Sequence, residues 1–195
     1  MLEENDEEVP SIVTHNNQLT ITRLTQADLQ SAFELFTASI TNTFEKEGIM
    51  HLTDNLHSEI EVKQQKALAS LAEHSDVYFL VAKINEMVVG TISYAPCGEV
   101  IRALSDNQLD DVGELGSLYV LPSYQDQGVG SALIKELITY LASQGTEQFC
   151  LDSGYSSAQS RWKRKFGEPY KVAVDYWGPG SAHMVWLCQV GDFVE

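Results

Sequence analysis

The sequence predicts a mixed α/β domain, and three observations carry that expectation. Residues 114–120 are rich in strand formers and end at Pro122, and a two-glycine turn at 125–130 leads into apolar positions at helical spacing. Two apolar runs, Val77 to Ile84 and Met87 to Tyr94, are separated only by Asn85-Glu86, the pattern of a β-hairpin. Helical periodicity over Leu29 to Ile40 and over residues 55–73 alternates with these strands.

Taken in order, Leu19 to Arg23 alternates as a short first strand, and Thr25-Gln-Ala-Asp28 supplies a capping-box-like helix start. Leu29, Phe33, Phe36 and Ile40 then share one face of a helix predicted to run to about Glu45. Leu56, Ile60, Leu68 and Leu71 form the expected buried side of a second helix. After the hairpin, Pro96 to Gly113 is polar and irregular except at Val100-Ile101 and Leu104, and reads as an inserted surface loop or short helix. The central strand follows at 114–120. Val129, Leu133, Leu137, Ile138 and Leu141 then mark a helix that Gly145 closes. Glu147 to Asp152 is a strand, Ser156 to Lys165 a helix, and Tyr170 to Val174 and His183 to Gln189 are closing strands around a Gly178-Pro179-Gly180 break.

Composition narrows the class. The chain has 195 residues, 44% hydrophobic and 21% charged, which suits one globular unit with a sizeable core. Residues 1–17, acidic at Met1 to Val9, read as a mobile tail, and residues 18–195 as a single domain. No apolar run approaches the roughly 18 to 20 residues that cross a bilayer, and the acidic start is unlike a signal peptide, so a cytoplasmic protein without a membrane partner is expected. A net charge of -16 argues against a nucleic-acid partner, which is bound by neutralising phosphates. Cys97, Cys150 and Cys188 lack metal-ligand spacing and read as reduced thiols; five scattered histidines add no metal site. The sequence leaves oligomeric state open, a homodimer included.

The segment Gln125-Asp126-Gln127-Gly128-Val129-Gly130-Ser131 holds the clearest chemistry. Glycines allow close approach of a ligand to the backbone, and the first-turn N–H groups of the following helix favour an anion such as pyrophosphate. A tight turn into a packed helix would use the same two glycines. Ser131-Ala132 after Gly130 lacks the lysine of a nucleotide P-loop, and Leu133 stands where a dinucleotide fingerprint has its third glycine.

These residues resemble the GCN5-related N-acetyltransferases (GNAT family). Gln125, Gly128 and Gly130 match the family's Q/R-x-x-G-x-G/A signature, and Leu118-Tyr119-Val120-Leu121-Pro122 resembles the end of its fourth strand. The resemblance covers about residues 18 to 190. It implies a mostly antiparallel central sheet flanked by helices, whose fourth and fifth strands, here 114–120 and 147–152, splay apart around the thioester. It also implies an acetyl-CoA site with no metal. The backbone of Leu118, Tyr119 and Val120 would pair with the pantetheine arm, and the amides of Gln125 to Ser131 would hold the pyrophosphate.

Acylation of an amine requires a base for the amine proton, a donor to the carbonyl and a fate for the thiolate. Glu114 is the candidate base; a solvated strand-end carboxylate is the plainer alternative. It lies four residues before Leu118, which in a regular strand puts both side chains on one face. By resemblance Glu114 holds the family's glutamate position, and the Leu118 N–H polarises the carbonyl. The family's usual acid tyrosine is replaced by Trp162, whose indole only donates. Tyr155 is the nearest substitute, and solvent could serve instead. Arg161, Lys163, Arg164, Lys165 and Lys171 could meet the 3′-phosphate of CoA or form a solvated face. Tyr176 and Trp177 read as cover for the sheet end or as lining of the acceptor pocket, and His183 as a structural histidine or a base. The reading is acetyl transfer by direct attack. A small cationic amine ranks first as acceptor on the carboxylates Glu99, Asp106, Asp110 and Asp111, and a protein amine ranks second. A non-catalytic acyl-CoA sensor is the rival.

Overall fold

The computed structural model describes residues 18–194; the tail expected over 1–17 lies outside the described residues. Strand β1 (Thr20–Arg23) pairs antiparallel with β2 (Tyr78–Ile84), which turns into β3 (Met87–Ala95). Asn85 and Glu86, at φ 50 and 63, make the turn with both central residues left-handed, the hairpin geometry that matches strand twist.

Between β1 and β2 the chain makes two helices. Asp28 Oδ2 accepts from Thr25 N at 2.9 Å and Thr25 Oγ1 at 2.7 Å, and its other oxygen pairs with Lys83 at 3.1 Å, so the expected capping box also ties the helix start to β2. Helix α1 (Leu29–Glu47) runs two residues past its expected end and stops at Gly48, φ 72. Helix α2 (Thr53–Ala69) ends before the expected 73. It buries Leu56 and Ala67, while Leu68, expected inside, is 40% exposed. Ile60 and Leu71 pack in the same cluster as Leu56, as expected, and Glu59, Lys63 and Lys66 beside them are half-buried.

The inserted segment contains a short helix α3 (Glu99–Leu104) before β4 (Glu114–Val120). Helix α4 (Val129–Ser143), β5 (Gln148–Ser153), α5 (Ser156–Phe166), β6 (Lys171–Ala173) and β7 (His183–Gln189) complete the chain. The seven strands form one sheet in the order β1-β2-β3-β4-β5-β7-β6, antiparallel except where β4 meets β5.

Strand alternation sends side chains to two faces. On one face Leu80, Ala82, Ile92, Leu115, Phe149, Leu151 and Trp186 pack under α4. On the other, Phe79, Val81 and Val88 pack under α1 and α2, and Cys150 and Val185 pack under α3 with Ile101. The far face therefore has two roofs, α1/α2 and α3, with a seam above β4 and β5.

Gly90 sets how closely α4 approaches the sheet. A Cβ there would lie 2.8 Å from Val129 Cγ1 and 2.9 Å from Leu133 Cδ1, whereas one at Gly130 would meet only Val120 Cγ2, at 3.7 Å. Gly90→Val is expected to cost roughly 1–3 kcal/mol by overpacking, and Gly130→Ala to be neutral or stabilising by up to about 1 kcal/mol in its helix. Urea unfolding of the two variants measures the contrast.

Candidate active site

Strands β4 and β5 meet through one residue pair, Glu114 with Cys150, where Cys150 N donates to Gly113 O at 2.9 Å. No further pairing follows toward Val120 and Ser153, so the sheet opens there. A bulge in β4 accompanies the opening. Thr91 pairs with Tyr119 and Ser93 with Gly116, leaving Ser117 and Leu118 together opposite Ile92. Ser117 sits at φ 49, and its carbonyl accepts from Thr91 Oγ1 at 2.8 Å.

The bulge corrects one expectation. An extra residue resets the alternation, so Leu118 packs with Leu115 in the cluster under α4, while Glu114 faces α2 on the other side of the sheet. Tyr119, five residues on, shares the side of Glu114.

Glu114 is half-buried, and its Oε2 accepts from Gly98 N, just before α3, at 2.8 Å. A Cβ at Gly98 would sit 2.8 Å from that oxygen, so glycine is what lets the insertion close over the carboxyl. Burial pushes the Glu114 pKa above the ordinary carboxylate range; the Lys66 ammonium opposes the shift and the Asp152 carboxylate adds to it.

Helix α2 contributes groups that the sequence reading missed. Glu59 accepts from Tyr119 Oη at 2.7 Å on one oxygen and from Tyr155 Oη on the other. Lys63 stands 6.0 Å from the Tyr119 ring centroid, and half-buried Lys66 lies within electrostatic reach of Glu114 and Asp152. These are positions i, i+4 and i+7 of one helical face. Their spacing, beside the face that Leu56 and Ile60 turn inward, was the available signal. Tyr155 therefore has its proton committed to Glu59, and burial, then the Glu59 charge, holds its pKa above the ordinary phenol value.

Across the seam, buried His183 is held on both ring nitrogens. Trp177 Nε1 donates to His183 Nδ1 at 2.9 Å, which fixes the ring proton on Nε2, 2.9 Å from Asp152 Oδ2. A Cβ at Gly154 would lie 2.6 Å from Trp177 Nε1. His183 is thus a positioned partner of Asp152, while Trp177, 58% exposed, does more than cover the sheet end.

The glycine turn lies beyond the open end of β4. Gly128, at φ 86, precedes α4 and has nothing within 4 Å of a built Cβ. The first intrahelical bond, Ala132 N to Gly128 O at 3.0 Å, leaves the preceding first-turn N–H groups outside the helix ladder. Gln125 braces the turn, with Nε2 donating to Val120 O at 3.2 Å and Oε1 accepting from Lys46 Nζ at 3.0 Å. Of the basic cluster, Arg161 reaches this turn, 3.6 Å from Asp126, whereas Lys171 lies on β6. Trp162 packs on Phe166 and the cluster under α4.

The geometry has a family counterpart. The model of the acetyltransferase (GNAT) family matches residues 39–167. The chain is a member of the GNAT acetyltransferases. It is accordingly an acetyl-CoA-dependent acyltransferase. No curated protein sequence matches it. Among solved structures, it is similar to the PaiA N-acetyltransferase of Thermoplasma acidophilum in complex with coenzyme A, with TM-score 0.63 and 18% identity over 87% of this chain and 98% of that one. It is similar also to the ribosomal-protein-S18-alanine N-acetyltransferase of Escherichia coli, with TM-score 0.60 and 16% identity over 89% and 94%. A third is a GNAT family acetyltransferase from Elizabethkingia anophelis with acetyl-CoA bound, with TM-score 0.58 and 14% identity over 89% and 99%. At these identities the likeness shows the fold.

The open space above Gly128, the unladdered N–H groups and the parted strands fit an acyl-CoA between the two lips of this GNAT sheet. Among the described residues, no group of three His, Cys, Asp or Glu side chains could hold a metal, and no helix is long and apolar enough to cross a membrane.

One further contact ties the two lips. Glu47, at the end of α1, accepts from Ser156 N at 3.2 Å, Ser157 N at 3.0 Å and both serine hydroxyls at 2.7 and 2.6 Å, capping α5. Burial raises the Glu47 pKa, but these hydrogen bonds outweigh it and hold the group below the ordinary value of 4.5. A lowered pKa stabilises the fold above that value and loses the contribution as pH falls through the folded pKa. Glu47→Ala is expected to lose roughly 0.5–2 kcal/mol at pH 7. The gap from wild type should close below the ordinary pKa, as read by urea titrations at neutral and acid pH.

Proposed function

We propose that this acetyltransferase moves the acetyl group of acetyl-CoA to a primary amine by direct attack, with Glu114 as general base. A single domain over 18–195 would carry the reaction. The observation that carries the reading is a half-buried carboxyl with a raised pKa at the point where β4 and β5 part.

Acetyl-CoA supplies an activated acyl thioester. The amides from Gln125 to Ser131 would hold its pyrophosphate, and the backbone of Leu118, Tyr119 and Val120 would meet the pantetheine arm. The bulge favours this assignment, because it re-aims the Leu118 backbone just where β4 loses its neighbour. The acceptor amine gives its proton to Glu114, whose raised pKa makes it a stronger base than a solvated carboxylate. The amine nitrogen bonds to the carbonyl carbon, and the carbon–sulfur bond breaks to release the CoA thiolate.

Tyr155 is assigned a positioning part rather than the acid's, because its O–H donates to Glu59 and its pKa is raised. Solvent protonates the thiolate. A covalent route through Cys150 finds no support. Its thiol is buried beside Cys97 and 3.5 Å from Gly113 O, and burial drives its pKa up, away from a reactive thiolate. Buried, unpaired thiols at all three cysteines suit the cytoplasm.

Two of the acidic residues that ranked a small cation first, Asp106 and Asp110, lie elsewhere, whereas Glu99 opens α3 next to Gly98. Asp106 and Gln108 sit by Tyr170 and Lys171 near β6, and Asp110 is 3.9 Å from Arg102. A small-molecule or a protein amine fits the reaction equally at this level.

Glu114→Gln is expected to lower kcat about 10²- to 10⁴-fold while calorimetric binding of acetyl-CoA persists. Gly128→Glu should abolish that binding by filling the space above the turn. In wild type, the acid limb of kcat/KM should fall at a pH above the ordinary glutamate pKa of 4.5, because the base must be ionised. Turnover that survives Glu114→Gln unchanged would remove the base from this residue.

A further inference from the structure

The seam between α2 and α3, where Glu114 lies, presents an unusual balance of charge. Its carboxylates are already engaged. Both Glu59 oxygens accept from tyrosines, Asp152 Oδ2 meets His183, and Glu114 Oε2 accepts from Gly98 N. Lys66 stands among them, half-buried, with no carboxylate within 4 Å among the described residues. Lys63, one turn earlier on the same face, lies 6.0 Å from the Tyr119 ring centroid and within electrostatic reach of Glu114, and it too has no carboxylate within 4 Å among the described residues. Holding an ammonium group away from water without a contacting acceptor costs free energy, and a carboxylate brought from outside would recover it through charge-assisted hydrogen bonds.

We propose that the acceptor is a zwitterionic amine, whose carboxylate is held by Lys66 and Lys63 of α2 while its amino group is presented to Glu114. The inference rests on the direct-attack reading above and narrows its acceptor. A polycation would bring its second ammonium group against Lys63 and Lys66, and like charges at close range repel. A simple alkylamine would reach Glu114 but leave both lysines unpaired. A free amino acid satisfies the lysines and Glu114 at once, and Asp152, held by His183, adds negative potential beside Glu114.

The test measures release of the CoA thiol with matched pairs: leucine against isopentylamine, phenylalanine against phenethylamine, and lysine against cadaverine, with spermidine and an amidated peptide bearing a free amino terminus alongside. The expected result is kcat/KM about tenfold or more higher for the amino acid of each pair, the worth of one charge-assisted contact. In Lys66→Met that ratio should collapse toward one, chiefly through KM for the amino acid. Lys66→Arg should keep much of it. Equal or better use of the decarboxylated amines, of spermidine or of the amidated peptide would overturn the proposal while leaving direct attack by an amine in place. A Lys66→Met enzyme with an unchanged ratio would overturn it as well. If a protein that binds acetyl-CoA acetylates none of these compounds, the acceptor assignment fails, and direct attack is then judged separately by turnover of protein amines in wild type and Glu114→Gln.

Discussion

Because β4 and β5 share only the pair Glu114–Cys150, everything on either side of the sheet must be organised around a break in its hydrogen bonding. Parallel strands in a covered sheet normally continue pairing for their whole length, since buried N–H and C=O groups left unpaired are costly. Here the break is held by other means. The bulge at Ser117 turns β4, α4 closes against Gly90 on one face, and α1, α2 and α3 close on the other. The opening is therefore a property of packing on both faces rather than of a flexible edge.

The break also separates two kinds of chemistry. On the α4 side lie helix N–H groups and a glycine turn with open space above it, suited to a phosphorylated ligand. On the other side lie Glu114, Glu59, Asp152, Lys63 and Lys66, suited to a charged acceptor. The two sides communicate only where the strands part. Glu114 marks that point because it is the last paired residue of β4 on this seam, and Gly98 N gives its side chain one fixed hydrogen bond. The tyrosines then complete a second fixed carboxylate at Glu59, so that geometry near the seam is set by buried hydrogen bonds from four different elements.

The order of elements, the hairpin at Asn85-Glu86, the capping box at Thr25 and the glycine turn were all legible in the sequence, because each depends on local patterns of a few residues. The position of Glu114 on the parting strand was legible too. What failed to show was nonlocal. A period of two carried Leu118 to the wrong face because one residue, Ser117, adopts a left-handed conformation that no glycine or asparagine announces. Helix α2 and the residues just after it turn Leu56, Ile60 and Leu71 inward as their spacing suggests, while Ala67 packs in and Leu68 stays outside. Glu59, Lys63 and Lys66, on the flank of that apolar stripe, read as solvated charge because no local pattern marks which flank meets the sheet.

The end of α1 shows how fold stability and site geometry become one problem. Lys46 reaches Gln125 in the glycine turn, and Glu47 reaches Ser156 and Ser157 at the start of α5. Adjacent residues of one helix thus hold the two lips that the sheet itself joins only at Glu114 and Cys150. Tyr155, the residue before Ser156, is in turn fixed to Glu59 of α2 and packed on Phe44 of α1. Loosening the Glu47 cap would free the α5 lip and the Tyr155 hydroxyl together, and with them the partner that orients Glu59. The two lips are therefore coupled through α1 as well as through the single strand pair, Glu114 with Cys150, that joins them.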